Sequence, residues 1–137
     1  RTSAGREMSG SDEVLQATSD LLAAVATNDY SAYEKLSDTT LTSFEPETKG
    51  NLVEGLSFHK YFFDLGKKAA TTTVAPPKQN TIAAPHVRML SSDAAIVSYV
   101  RIIQSGGDVA SCQETRVWQR GADRKWKNVH FHRSSNL

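Results

Sequence analysis

Ala94-Ala95-Ile96-Val97-Ser98-Tyr99-Val100-Arg101-Ile102-Ile103-Gln104, followed by the turn Ser105-Gly106-Gly107-Asp108 and a second run over residues 109–120, decides the fold. The first run is long and rich in β-branched and aromatic residues, which suits a pleated surface. The Gly-Gly turn is short, so the two runs pair as an antiparallel hairpin. A second turn, Gly121-Ala122-Asp123-Arg124, leads into a third run over residues 125–133 that ends Val129-His130-Phe131-His132-Arg133. The C-terminal half therefore reads as an antiparallel meander.

Alternation assigns faces to these strands. If both hairpins close with an even number of loop residues and no bulge, odd positions in one strand share a face with even positions in the next. Arg101, Arg116 and Arg133 then fall on one face of three adjacent strands, with Val97, Tyr99, Ile103, Cys112, Glu114, Trp118, Val129 and Phe131. That face is apolar enough to be covered by helices, yet it carries three cations and a single acid, Glu114. Buried charge is paired, solvated or liganded. The expectation is a cavity between sheet and helix with excess positive charge, suited to a small carboxylate or an acidic peptide side chain gripped by guanidinium groups. One strand arginine by itself would read as a snorkelling edge residue or an ion-pair partner.

The opposite face would hold Ile96, Val100, Ile102, Val117, Trp126, His130 and His132. It is too apolar for a solvated sheet back. Too few helices remain to cover it, so either long loops or a second copy of the chain is expected there, the second copy being the more economical reading.

Upstream, the pattern changes to helical. Ser11-Asp12-Glu13 reads as a capped, acidic helix start, and Val14, Leu15, Thr18, Leu21, Leu22 and Val25 recur at helical spacing. Asn28-Asp29 ends this long helix. A short second helix is expected over residues 31–37, and a short strand over 41–45, stopped by Pro46. Residues 53–65 read as a third helix closed by Gly66, with Leu52, Leu56, His59 and Phe63 on one stripe; His59 is a candidate for the wall opposite the arginines. A short strand at 71–74, a loop at Ala75-Pro76-Pro77-Lys78, and a strand at 82–90 interrupted by Pro85, which favours an edge or bulge position, complete the pattern. Helices first and a meander after is an α+β arrangement, with a long N-terminal helix packed in a curved, mostly antiparallel sheet.

Composition narrows the function classes. The 137 residues suit one domain, and a net charge of +1 makes no electrostatic case for nucleic acid or membrane. Residues 1–10, rich in Ser, Gly and Arg, read as a linker remnant or tail, with the domain over residues 11–135. Arg1 is not a natural start, so the chain reads as cut from a longer one. A single cysteine, Cys112, fits a reducing, cytoplasmic setting. His130 and His132 point the same way and have metal-ligand spacing, but no further ligand completes a set, so no metal is expected. Glu45, Glu47 and Glu54 flank Pro46 and the third helix, where acids are expected for dipole reasons alone. There is no phosphate loop, dinucleotide fingerprint or kinase signature, and no cofactor is expected.

From Ser43 onward the chain resembles the association, or hub, domain of calcium/calmodulin-dependent protein kinase type II. The resemblance rests on Phe44-Glu45-Pro46-Glu47, Gly50-Asn51-Leu52-Val53-Glu54-Gly55-Leu56, Phe58-His59, Pro85-His86-Val87, Tyr99-Val100-Arg101-Ile102, Glu114-Thr115-Arg116-Val117-Trp118, and Trp126 with Val129 to Ser134. It implies a cone-shaped, nuclear-transport-factor-like fold and homo-oligomers of two stacked rings of twelve or fourteen subunits. It implies no catalysis by this chain, whose parent is a calmodulin-dependent serine/threonine kinase or a stand-alone hub. It also implies an arginine-lined cavity built from Arg101, Arg116, Arg133 and His59, taking small carboxylates or acidic segments of the kinase linker. Asp64-Leu65-Gly66-Lys67 departs from the family at the cavity mouth. The alternative from another class is a small cone-fold enzyme, an isomerase, cyclase or dehydratase, with Glu114 or His59 as its general base.

Overall fold

The computed structural model describes residues 7–72 and 78–135. Helix α1 spans Gly10–Ala26 and is capped by Ser9, whose hydroxyl accepts from Asp12 N at 3.1 Å. The cap thus falls two residues before the expected Ser11, and the expected tail gives up Ser9 and Gly10 to the helix. Residues 1–6 lie outside the described part. The apolar stripe of α1 is legible in the burial: Val14, Thr18, Leu21 and Leu22 are buried. Each large aliphatic side chain so buried contributes about 1.5–3 kcal/mol.

Asn28 takes a left-handed φ of 56° and turns the chain. Asp29 then caps α2 (Tyr30–Lys35) by accepting from Ala32 N at 3.1 Å. Strand β1 (Ser37–Phe44) is longer than expected and is followed by one turn of 3-10 helix at Pro46–Thr48.

The third helix differs from expectation. Val53 and Glu54 form a short strand, β2 (Val53–Glu54), paired with Ser43 and Thr42. Gly55, at φ 80°, turns the chain, and α3 runs from Ser57 to Thr72. Gly66 does not terminate α3. It lies inside the helix where α3 crosses the Asn28 turn, and a Cβ there would come within 2.6 Å of Asn28 Oδ1. Asn28 in turn donates through Nδ2 to Phe63 O at 2.9 Å. Close approach, and not helix termination, is what requires glycine there. Thr71 and Thr72 are helical, so the expected strand at 71–74 does not begin there; residues 73–77, with the expected proline loop, lie outside the described part.

Four strands complete the sheet: β3 (Lys78–Ser91), β4 (Ala94–Ser105), β5 (Asp108–Arg120) and β6 (Trp126–Arg133). The order is β2-β1-β6-β5-β4-β3, antiparallel except for the parallel pair β1–β6. Pro85 favoured an edge or a bulge and has both: β3 lies at the sheet edge, with a register shift between Ala83 and His86 where Ala84 has φ 49°. The chain is α+β as expected. The helices cover one sheet face, and the core joins Leu21, Tyr33 and Phe63 to Val97, Tyr99, Trp118 and Trp126.

The β4–β5 hairpin keeps unbroken register, Ser105 opposite Asp108 through to Ala94 opposite Gln119. Between β5 and β6 the register slips: Val117 faces His130, but Trp118 faces Asn128. Val129 is the extra residue of this bulge. The consequence is a correction. Trp126 is 8% exposed and belongs to the helix-covered core, not to the outer face. Val129 leaves the arginine face, and Asn128 takes an inward place. Asn128 Nδ2 donates to Val117 O and His130 O, both at 2.9 Å, which satisfies carbonyls on both sides of the slip.

Candidate functional site

Between the sheet, α3 and the turn after β1 lies a cavity of about 350 Å³ lined by Arg101, Arg116, Arg133, Glu45, Glu47, Glu114 and His59. The three arginines share one face because the bulge falls one pair beyond Arg116: Arg101 stands opposite Cys112, Arg116 opposite Phe131, and Arg133 opposite Glu114.

The cavity floor is a closed network. Glu114, with no side-chain exposure, accepts at Oε2 from Arg101 Nη1 at 2.9 Å and at Oε1 from Arg116 Nη2 at 3.2 Å. It also accepts from the Tyr99 hydroxyl. Burial alone would raise the Glu114 pKa, but Arg116 and then Arg101 outweigh it and hold the carboxyl down at about 2. Arg116 donates further to Tyr99 Oη at 3.0 Å and Asn128 Oδ1 at 2.8 Å, and stacks 4.2 Å from the Phe131 ring centroid. Its guanidinium is spent on structure. Arg101 also donates through Nε to Asn80 Oδ1 at 3.0 Å, and Asn80 donates to Leu22 O, which ties the floor to α1. Tyr99 lies behind Glu114 and does not line the space; burial drives its pKa up.

The mouth is more open. Arg133 Nη2 donates to both oxygens of Glu47, at 2.5 and 2.7 Å, and stands 3.5 Å from Glu45 Oε1. Burial works against the charged form of Glu47, but the hydrogen bonds from Arg133 hold its pKa below the ordinary value. Glu45 is more enclosed: its side chain is 10% exposed and accepts from Ser43 Oγ at 3.1 Å, and burial raises its pKa despite Arg133. Exposed Lys78 completes the rim.

His59 is where the sequence placed it, on the wall opposite the arginines, and is 6% exposed. Burial first, and Arg116 second, bring its pKa down to about 4. It is therefore neutral at pH 7, and its 3.7 Å approach to Glu45 Oε2 is not an ion pair. Its Nε2 is buried and has no hydrogen-bond partner among the described residues. Tyr33, packed 5.8 Å from the His59 ring centroid, has its pKa pushed up to about 12 by burial.

The expected charge excess needs correction. Sequence reasoning put one acid with three arginines; the folded chain brings in Glu45 and Glu47 as well. Both come from the segment just after β1, whose last residues pair with β6 in the parallel contact that places Ser43 beside Phe131. The charged motif Phe44-Glu45-Pro46-Glu47 was the available signal, but only the β1–β6 pairing gives it a place. Asn80 and Asn128 were missed as well; nothing in the local sequence marks them. Both proposed general bases are held below their ordinary pKa, His59 by burial and Glu114 by Arg116 and Arg101, and Glu114 is already engaged by both arginines and the Tyr99 hydroxyl.

On the outer sheet face, Ile96, Val100, Ile102, Val117 and His130 are each half-buried, and His132 is exposed. Phe44, 36% exposed, joins them, with its ring 5.4 Å from that of His132. His130 Nδ1 lies 2.7 Å from Thr42 Oγ1. Among the described residues no helix packs on this face, and no group of three or more potential metal ligands occurs. Cys112 is buried, and burial pushes its thiol pKa up. No described helix is long and apolar enough to cross a membrane.

Comparison with known proteins gives a consistent set. The family profile described as "Calcium/calmodulin dependent protein kinase II association domain" matches residues 10–136. The calcium/calmodulin-dependent protein kinase type II alpha chain of Drosophila melanogaster is 43% identical over 133 residues, covering 90% of this chain and 23% of the relative. The chain thus spans about a quarter of that relative's length. Among solved structures, the hub homology domain from Chlamydomonas reinhardtii is 42% identical, with a TM-score of 0.78 over 93% of this chain and 98% of that one. The S. rosetta kinase hub is 38% identical, with a TM-score of 0.79 over 96% and 100%. A nuclear-transport-factor-2-like protein from Cytophaga hutchinsonii, at 20% identity and a TM-score of 0.70 over 93% and 99%, shares the fold alone.

Proposed function

This chain belongs to the calcium/calmodulin-dependent protein kinase II association-domain family, and from that membership we propose that it is a non-catalytic homo-oligomerisation hub whose copies build a double-ring particle. The observation that carries the proposal is the uncovered outer sheet face. A half-buried apolar stripe from Phe44 through Val117 and Val100 to Ile102 exposes more apolar surface than a solvated sheet back tolerates. A second copy laid across it removes that surface from water. That face-to-face contact closes a two-fold pair, and a ring takes a further head-to-tail contact repeated with rotational symmetry. In a full-length parent, rings would hold attached domains at high local concentration.

Light scattering tests this directly. Twelve or more 15.0 kDa chains form a particle of about 180 kDa or above. Val100→Glu, which places a carboxylate in the middle of the stripe, should collapse that mass while leaving the far-ultraviolet circular dichroism unchanged. A lone protomer for the unaltered chain at micromolar concentration would overturn the proposal.

A second function belongs to the cavity: binding a small carboxylate or an acidic segment of the chain's own linker. The support is the buried, unpartnered Nε2 of His59 in a cavity that also holds Arg133. A hydrogen-bonding ligand would satisfy that atom.

A further inference from the structure

Resting on the carboxylate-binding role of the cavity, we propose that Glu47 is its built-in competitor: its carboxylate occupies Arg133, and an entering carboxylate must replace it there. The role divides the three arginines. Arg116 is enclosed by Tyr99, Asn128, Glu114 and the Phe131 ring, so its release would leave several buried groups unpaired. Arg101 is held by Glu114, whose side chain has no exposure. Arg133 alone has a partner that can leave. The Glu47 side chain is 42% exposed, whereas that of Glu45 is 10%.

The backbone around Glu47 suits such a release. The residue rides on the single 3-10 turn Pro46–Thr48, followed by Lys49 and Gly50 at positive φ. Swinging its carboxylate into water removes no core side chain; it breaks the contacts to Arg133 and the carboxylate's hydrogen bond to its own backbone N–H. The exchange conserves charge, because one carboxylate leaves Arg133 as another arrives. It therefore avoids the penalty of stranding a guanidinium in a partly desolvated site. A tethered competitor acts at high effective concentration, so ligand affinity is set by the difference between two carboxylate–arginine pairings. Glu47 thus fixes the threshold: a ligand must add something Glu47 lacks, and a hydrogen bond with His59 Nε2 is the unfilled position in the cavity.

The test is calorimetric titration of glutarate into the assembled protein at low salt, comparing the unaltered chain with Glu47→Gln, Arg133→Gln and Glu54→Gln. Glu54 is an exposed glutamate outside the cavity and controls for general loss of negative charge. Glu47→Gln should bind glutarate about 3- to 10-fold more tightly, the scale of one exposed-to-half-buried ion pair. Arg133→Gln should lose binding, and Glu54→Gln should match the unaltered chain. Equal affinity of Glu47→Gln and the unaltered chain would overturn the competitor role while leaving the cavity a carboxylate site. Equal gains in Glu47→Gln and Glu54→Gln would overturn it too, as a bulk charge effect. Binding that survives Arg133→Gln would overturn the exchange on Arg133. No binding by any of the four proteins would overturn the carboxylate-binding role itself.

Discussion

Glu114 at the cavity floor and Glu47 at its mouth each hold an arginine, yet their side chains are 0% and 42% exposed. At the floor, removing Glu114 leaves the enclosed Arg116 without its counter-charge and with almost no exposure to solvent. At the mouth, water replaces whatever is lost. The same pair chemistry is therefore architecture in one place and an adjustable contact in the other, because desolvation, and not the number of hydrogen bonds, sets the cost of breaking it.

The largest effect that would break this contrast is at the floor. Glu114→Gln strands Arg116 and Arg101 without their common counter-charge and should cost about 3–5 kcal/mol. Urea unfolding at fixed protomer concentration measures it; a loss below about 1 kcal/mol would mean the floor is as forgiving as the mouth.

Next in size is the response to acid. Native His59 is neutral down to about pH 4, whereas an unfolded histidine takes up a proton near 6.5. Its contribution is complete above pH 6.5 and is lost as the pH falls towards 4, a change of roughly 3 kcal/mol at the limit. Glu114 adds a second loss, from its ordinary value of 4.5 down to about 2. Glu45 acts oppositely, because its raised pKa favours the folded state in acid and that benefit fades as the pH rises. Unfolding free energies measured from pH 7 to pH 4 should therefore fall, and His59→Gln should flatten the upper part of the curve. An identical slope in the variant would assign the acid sensitivity elsewhere.

The smallest effect belongs to the mouth. Glu47→Gln should change stability by less than about 1 kcal/mol, and the difference should shrink further in molar salt. A cost comparable with that of Glu114→Gln would erase the distinction between the two regions.

The sheet order and faces were partly legible beforehand. In β4 and β5, alternation and a two-residue Gly-Gly turn define a register that the fold keeps from end to end. In β6 the same reasoning gave Arg133 its correct face but misplaced Trp126 and Val129. A bulge costs one residue of phase and leaves no local mark; Asn128, which bridges it, looks like any strand asparagine. Gly66 misled for a related reason. Glycine near an apolar run reads as a helix stop, whereas here its missing side chain makes room for Asn28 from a distant turn.

Taken alone, the sequence determined the α+β class, an edge or bulge position for Pro85, the convergence of Arg101, Arg116 and Arg133, and an apolar outer face, because these follow from periodicity, proline and short turns, all local in the chain. Only the tertiary structure decided that the cavity is nearly charge-balanced and that one arginine has a replaceable partner. Those depend on β1 lying parallel to β6, which brings Glu47 to Arg133 across 86 residues of sequence, and on how much water each carboxylate keeps once the chain has closed around it.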